Sequence, residues 1–313
     1  MILAAESLTR RVTFITGPEK GSGKTTLLVH ALGLLRLAGE RPAFLGIGFD
    51  GERDPAARAP RIACLPGEVF VTAAACLATS GCWPEVLAAL PGSSALGRLA
   101  VVRARREGRA VLVGSERNEY SARAIELIRA EDWARTVLVD GAMNRITQVA
   151  AFPGARFLFA VRASPADLER NAAAVRRLAL LVRLPALGTA AEADLDHLDD
   201  LVRAAGLPVP ASAVDGALTA DALARAPRTA RTLVVHDFTR VFLDLPALTA
   251  LLSERALAVR AGVAFGGFSV TLRDVSRARF LQAVADPAVA AMIAFNPLET
   301  AADAAPGDNG AGA

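Results

Sequence analysis

The chain contains only two lysines, Lys20 and Lys24, and both lie in one segment, Thr16-Gly-Pro-Glu-Lys-Gly-Ser-Gly-Lys-Thr-Thr26. Everywhere else positive charge is carried by Arg. An ammonium group is a compact point charge on a thin stem, which a loop wrapped around a phosphate can admit without displacing its own backbone donors. Gly21 and Gly23 allow the backbone N–H groups to turn inward around phosphate oxygens. Lys24 is spaced to reach the distal phosphates, and the Thr25 hydroxyl is spaced to ligate Mg²⁺. Gly17, Ser22 and Thr26 complete the candidate binding set.

Such a loop works only between a strand and a helix, because the helix N-terminus adds uncapped amides and a positive dipole end. Arg11 to Gly17 reads as a β-branched strand entering a glycine turn, and Lys24 to Ala38 as a helix leaving it. The pattern G-x-x-x-x-G-K-[ST] is met at Gly23, Lys24 and Thr25, but its first glycine is required at Pro18. Gly17 lies one residue early, so either the loop is one residue longer than usual or Pro18 begins it in a slightly different turn. Lys20 is assigned no role.

A phosphate loop needs a metal-directed carboxylate nearby. Thr136-Val-Leu-Val-Asp140-Gly is an apolar strand ending in Asp, the form expected of that group. Asp50, ending the expected strand Pro42–Phe49, is the second nominee. The catalytic candidates are therefore Lys24, Asp140 and Asp50, and the metal candidates are Thr25, Asp140 and Asp50. No Glu follows Asp140, so the neighbour that activates water in many ATPases is absent. His30 and His197 read as structural or solvated.

The remaining composition sets limits. At 313 residues, 53% of them hydrophobic and 21% charged, with a mean hydropathy of +0.36, the chain is long enough for a sizeable core and too regularly charged for a membrane bundle. Its longest uncharged run, Val69–Pro84, is too short and too polar to span a bilayer and is expected in the interior. A net charge of +3 gives no electrostatic footprint for nucleic acid. Cys64, Cys76 and Cys82 show no metal or disulfide spacing and are expected to be buried thiols in a reducing cytoplasm. The N-terminus carries no recognisable signal peptide.

The expected fold class is α/β, a mostly parallel sheet flanked by helices. The expected organisation is a nucleotide-binding domain over 1–230, a β-rich insertion at about 55–115, a small α/β segment over 231–298 and a disordered tail over 299–313. In the insertion, strands are expected at Arg61–Cys64 and Glu68–Thr72, with a hairpin formed by 97–105 and 109–114. Further on, a helix is expected over 121–131, a strand over 156–161, a helix over 165–178 capped by Ser164, and a strand over 179–184. In the last segment, strands are expected at 232–236, 262–268 and 292–295.

With its loop and its Asp140 strand, the chain resembles the P-loop NTPase superfamily, in the branch that holds MinD-like ATPases, dethiobiotin synthetases and metallochaperone GTPases. A narrower resemblance rests on Gly97-Arg-Leu-Ala-Val-Val-Arg-Ala104, Val139-Asp-Gly-Ala-Met-Asn-Arg145, His236-Asp-Phe-Thr-Arg-Val-Phe-Leu243 and Ala294-Phe-Asn-Pro297. These are similar to a bacterial family associated with reactivation of the cobalamin- and pyridoxal-dependent lysine 5,6-aminomutase. The loop residues point to ATP and Mg²⁺ as cofactors, the missing Glu beside Asp140 to slow hydrolysis, and the narrower resemblance implies a protein partner, an aminomutase, whose contact is expected on the insertion between Asp50 and Ser115 because it follows the strand nearest the nucleotide. It leaves room for a homodimer. A small-molecule kinase or ATP-dependent ligase, with Asp50, Glu52 and Arg145 as its acid–base nominees, and a non-hydrolysing nucleotide sensor are the alternatives. No N-K-x-D motif appears, which favours ATP over GTP.

Overall fold

The computed structural model describes residues 3–19, 21–47, 61–94, 96–115, 117–141, 152, 154–188 and 197–296. Lys20, Asp50, Glu52, Arg145 and the tail from 299 lie outside the described residues. The chain divides into two compact units: residues 1–162 with 266–271 and 294–296, and residues 163–265 with 272–293 and 297–313.

The first unit is built on an α/β sheet of nine strands in the order β14-β13-β9-β1-β8-β2-β4-β6-β5. Strand β1 (Val12–Thr16) is buried along its whole length and lies between β8 (Val137–Asp140) and β9 (Arg156–Ala163), parallel to both. Strand β2 (Ala43–Gly46) runs parallel to β8 on the far side. Runs such as Val-Leu-Val and Phe-Leu-Phe are what a parallel strand covered on both faces requires. Helix α1 (Ala5–Leu8) precedes β1, and α2 (Lys24–Leu37) follows it, burying Leu27, Leu28, Ala31, Leu32 and Leu35. That spacing of three and four residues is one face of a helix. It packs with Ile15, Phe44, Phe70, Leu138 and Leu158 in one core.

The segment expected as a β-rich insertion supplies three of the nine strands of this sheet. Strand β3 (Arg61–Cys64) forms as expected, and β4 (Val69–Ala73) is buried at every position and pairs in parallel with β2. Strand β5 (Pro84–Ser94) and β6 (Gly97–Ala104) continue antiparallel beyond it. The expected hairpin between 97–105 and 109–114 does not form. Both edges of β6 are taken, by β4 and β5, so β7 (Gly108–Val111) pairs instead with β3 in a separate two-stranded sheet. Helix α3 (Asn118–Ala130) lies against β5. Cys64, Cys76 and Cys82 are buried free thiols.

In the second unit, the residues expected as a strand over 179–184 continue a helix, α4 (Leu168–Val182). Its buried positions Leu168, Ala172, Val175, Leu178, Ala179 and Leu181 keep helical spacing through the apolar run, which a short window cannot distinguish from a strand. Asp167, not Ser164, is its N-cap residue, and the Ser164 N–H donates to Asp167 Oδ1 at 2.6 Å. Helices α5 (Leu198–Ala204) and α6 (Ala220–Arg225) follow. Three parallel strands, β10 (Ala211–Ala213), β11 (Thr232–Val235) and β12 (Ala256–Val259), make a second sheet in the order β10-β11-β12, and α7 (Leu245–Glu254) packs on it. Helices α8 (Arg277–Val284) and α9 (Pro287–Ala290) pack with α4. The second unit thus begins near 163 and not at 231. Strands β13 (Ala264–Leu272) and β14 (Ile293–Phe295), expected in a separate C-terminal segment, instead belong to the nine-stranded sheet, β13 next to β9 and β14 next to β13. Among the described residues no helix is long and apolar enough to cross a membrane.

Candidate functional site

The glycine-rich loop leaves β1 at Gly17 and enters α2 at Lys24. Gly21 and Gly23 hold φ of 80° and 96°, in the left-handed region where side chains other than glycine are strained. Gly17 is required for a different reason: a Cβ there would meet Ser22 Oγ at 2.3 Å and the Ala160 carbonyl at 2.7 Å. Ser22 is buried and folds back over Gly17, which closes the longer loop. The glycine one place early therefore serves the loop by giving Ser22 room. Helix α2 begins without a side-chain cap, and a helix N-terminus turns its first-turn amides toward an anion. The Lys24 ammonium lies over the loop, donating to the Glu19 carbonyl at 2.8 Å and to Ser22 Oγ at 3.3 Å. Thr26 sits in the same first helical turn.

Because β8 is the direct neighbour of β1, with Ile15 in register with Asp140, the end of the Asp strand lies beside the loop. Thr25 Oγ1 donates to Asp140 Oδ2 at 3.1 Å. Burial raises the Asp140 carboxyl to about 6, against the opposing effects of the Thr25 hydrogen bond and the Lys24 charge. A hydroxyl and a carboxylate brought together with a nearby ammonium are a suitable donor set for a hard divalent cation beside a phosphate. Bound charge of that sign would hold Asp140 ionised.

The residue after Asp140 is glycine for a packing reason. Its N–H donates to the Ile15 carbonyl at 2.8 Å, and a Cβ would lie 2.9 Å from that oxygen. The Glu that follows the metal carboxylate in many ATPases has no room here.

Three side chains at this site escaped the sequence reading. Arg162 ends its first-unit stretch in β9, and its Nη1 lies 3.6 Å from where a Gly21 Cβ would be, so its guanidinium packs on the loop. Thr271 Oγ1 lies 3.3 Å from the corresponding point on Gly23, and it accepts from Asn296 Nδ2 at 3.1 Å. Asn296 is buried and its N–H donates to the Val270 carbonyl at 2.8 Å. Their only sequence signal is a polar residue at the end of an apolar strand. Asp50 lies outside the described residues. His30 lies on α2, where burial lowers its imidazole, and His197 is the N-cap residue of α5 with no side-chain cap bond. Among the described residues no cluster of three His, Cys, Asp or Glu stands ready to hold a metal.

The Asp140 shift has a consequence for the ligand-free protein. A folded-state value near 6 above an ordinary 3.8 means the folded chain binds more protons than the unfolded chain between those limits. Stability is then greatest below about pH 4 as far as this group is concerned, and falls as pH rises through about 6. Asp140→Asn, which keeps an acceptor for Thr25, is expected to raise stability at pH 8 by about 1–2 kcal/mol and to have little effect near pH 4. Urea melts of the ligand-free chain at the two pH values measure this; equal stabilities at pH 8 would show that the buried charge costs nothing.

Comparison with family models, with curated proteins and with solved structures returns no match to this chain.

Proposed function

We propose that the chain is a P-loop protein that binds ATP with Mg²⁺ and hydrolyses it slowly, as a switch whose turnover responds to a protein partner. The observation that carries this reading is the Thr25–Asp140 hydrogen bond, which joins the first turn of the loop helix to the neighbouring strand's carboxylate. The first-turn amides of α2, with Lys24 and Arg162, would hold the phosphates, and Thr25 and Asp140 would hold the metal. When bound, Mg²⁺ neutralises phosphate charge and orients the terminal phosphoryl group. Lys24 exchanges its contacts with Glu19 and Ser22 for phosphate oxygens. The Arg162 guanidinium adds a second cation on the Gly21 side, where charge on a transferred phosphoryl group is stabilised.

Hydrolysis by the chain alone is slow in this reading because the position beside Asp140 has no space for a water-activating Glu. A partner that orders a loop stabilises the transition state more than the ground state and can supply what is missing. By the resemblance of its motifs the partner is a cobalamin-dependent aminomutase, and the function is its reactivation. The small-molecule kinase reading needs a second pocket. A crevice at the end of β2 is lined by Gly46, Gly114, Ser115, Tyr120 and Ser121.

The test mixes the chain, Mg²⁺-ATP and an inactivated aminomutase, then follows phosphate release and recovered mutase activity together. Release that is slow alone and rises at least about tenfold with the mutase, alongside recovered activity, is the expected result. Brisk hydrolysis without a partner, or phosphorylation of a metabolite, would favour the kinase reading instead.

A further inference from the structure

The second unit carries side chains that the loop chemistry does not use. Its strands β10, β11 and β12 are parallel, so their carboxyl ends lie along one edge, and in open α/β sheets ligands bind just beyond that edge. The register continues past the strands: the Val214 N–H donates to the Val234 carbonyl at 2.8 Å, the Arg260 N–H to the Val235 carbonyl at 3.0 Å and the Ala261 N–H to the His236 carbonyl at 2.9 Å. His236 and Arg260 are therefore neighbours on adjacent strand ends.

Both are set up unusually. Asp237 is 3% exposed and fully engaged: Oδ1 accepts from the Thr239 N–H at 2.8 Å and from the Thr239 hydroxyl, while Oδ2 faces His236 Nδ1 at 2.9 Å. A carboxylate only accepts, so the imidazole donates from Nδ1, and its tautomer and ring plane are set. Nε2 belongs to a side chain that is half exposed. Arg260 Nε is buried and meets no acceptor among the described residues. Arg260 as a whole is only part-buried, and a guanidinium with one unsatisfied nitrogen gains from an oxyanion on its remaining N–H groups. Asp215, at the end of β10, is solvent-exposed, where water and salt screen its charge.

We infer that this strand edge is a second ligand site, which takes the phosphate group of a small molecule between Arg260 and the Nε2 of His236. A guanidinium and an imidazole approaching from two strands call for an anion with several acceptor oxygens, which favours phosphate over a carboxylate. His236, oriented by Asp237, donates to one phosphate oxygen in its protonated form, and Arg260 donates to another. The site lies wholly within the second unit and stands apart from the loop reading.

The chain has three histidines, so the imidazole nitrogens of the whole ¹⁵N-labelled protein can be followed individually and assigned with His236→Gln. Inorganic phosphate is titrated at constant ionic strength into the natural chain and into Lys24→Ala, which separates this edge from the glycine-rich loop. His236 is expected to shift saturably in both, with Arg260→Gln weakening binding about tenfold and Asp237→Asn changing the Nδ1/Nε2 tautomer pattern. A His236 signal that phosphate leaves unmoved in the natural chain would overturn the site. So would equal affinity in Arg260→Gln or, if that variant does not fold, in Arg260→Lys. Acetate binding as tightly as phosphate would overturn the phosphate assignment.

Discussion

Lys24→Ala is expected to weaken ATP binding by about a hundredfold or more while leaving the fold intact, since hydrogen bonds to charged groups are worth roughly 1.5–3 kcal/mol and this ammonium would make more than one. The expectation follows from the ligand-free contacts. Lys24 donates to the Glu19 carbonyl and Ser22 Oγ, both within its own loop, and its charge also favours the ionised form of Asp140. Removing it should therefore cost little stability, and circular dichroism with a urea melt checks that. Isothermal titration reads the affinity. An unchanged dissociation constant would remove the loop from the account.

Asp140→Asn is expected to reduce Mg²⁺-dependent turnover by about a hundredfold and ATP affinity by much less, because a carboxylate at the metal acts mainly as charge develops on the transferred phosphoryl group. The same substitution should stabilise the ligand-free chain above pH 6, where the part-buried carboxylate is charged at a cost. Loss of turnover with a gain of stability is a combination that general damage to the fold would not produce. Asp50→Asn, compared in the same assay, separates the two carboxylate nominees; if it alone abolishes turnover, the metal carboxylate is not on β8.

The strand, loop and helix around Lys24 were legible because each is specified locally. Five consecutive buried residues lead into glycines that must take positive φ, and an apolar face of helical spacing follows. Asp140 was legible for the same reason, as a polar end on an apolar run. Where the sequence misled, several partners competed for one strand edge or one apolar run. Gly97–Ala104 looked like the first arm of a hairpin, yet both its edges are filled from strands earlier in the chain. Ala179–Val182 looked like strand because an apolar run of that length fits either period. Arg162, Thr271 and Asn296 could not be found by spacing, since strand order alone puts β9 beside β1 and β13 and β14 in turn beyond it. The early glycine at position 17 looked like a fault in the motif, and it is the one residue that leaves Ser22 room to close the loop.

The most direct measurement of the central claim is calorimetric titration of ATP into the natural chain, with Mg²⁺ and then with the metal chelated. Saturable binding at one site per chain in Mg²⁺, weakened at least about tenfold without it, is the expected result. No saturable heat at millimolar Mg²⁺-ATP, or an affinity indifferent to the metal, would contradict the assignment of Lys24, Thr25 and Asp140 to one nucleotide site.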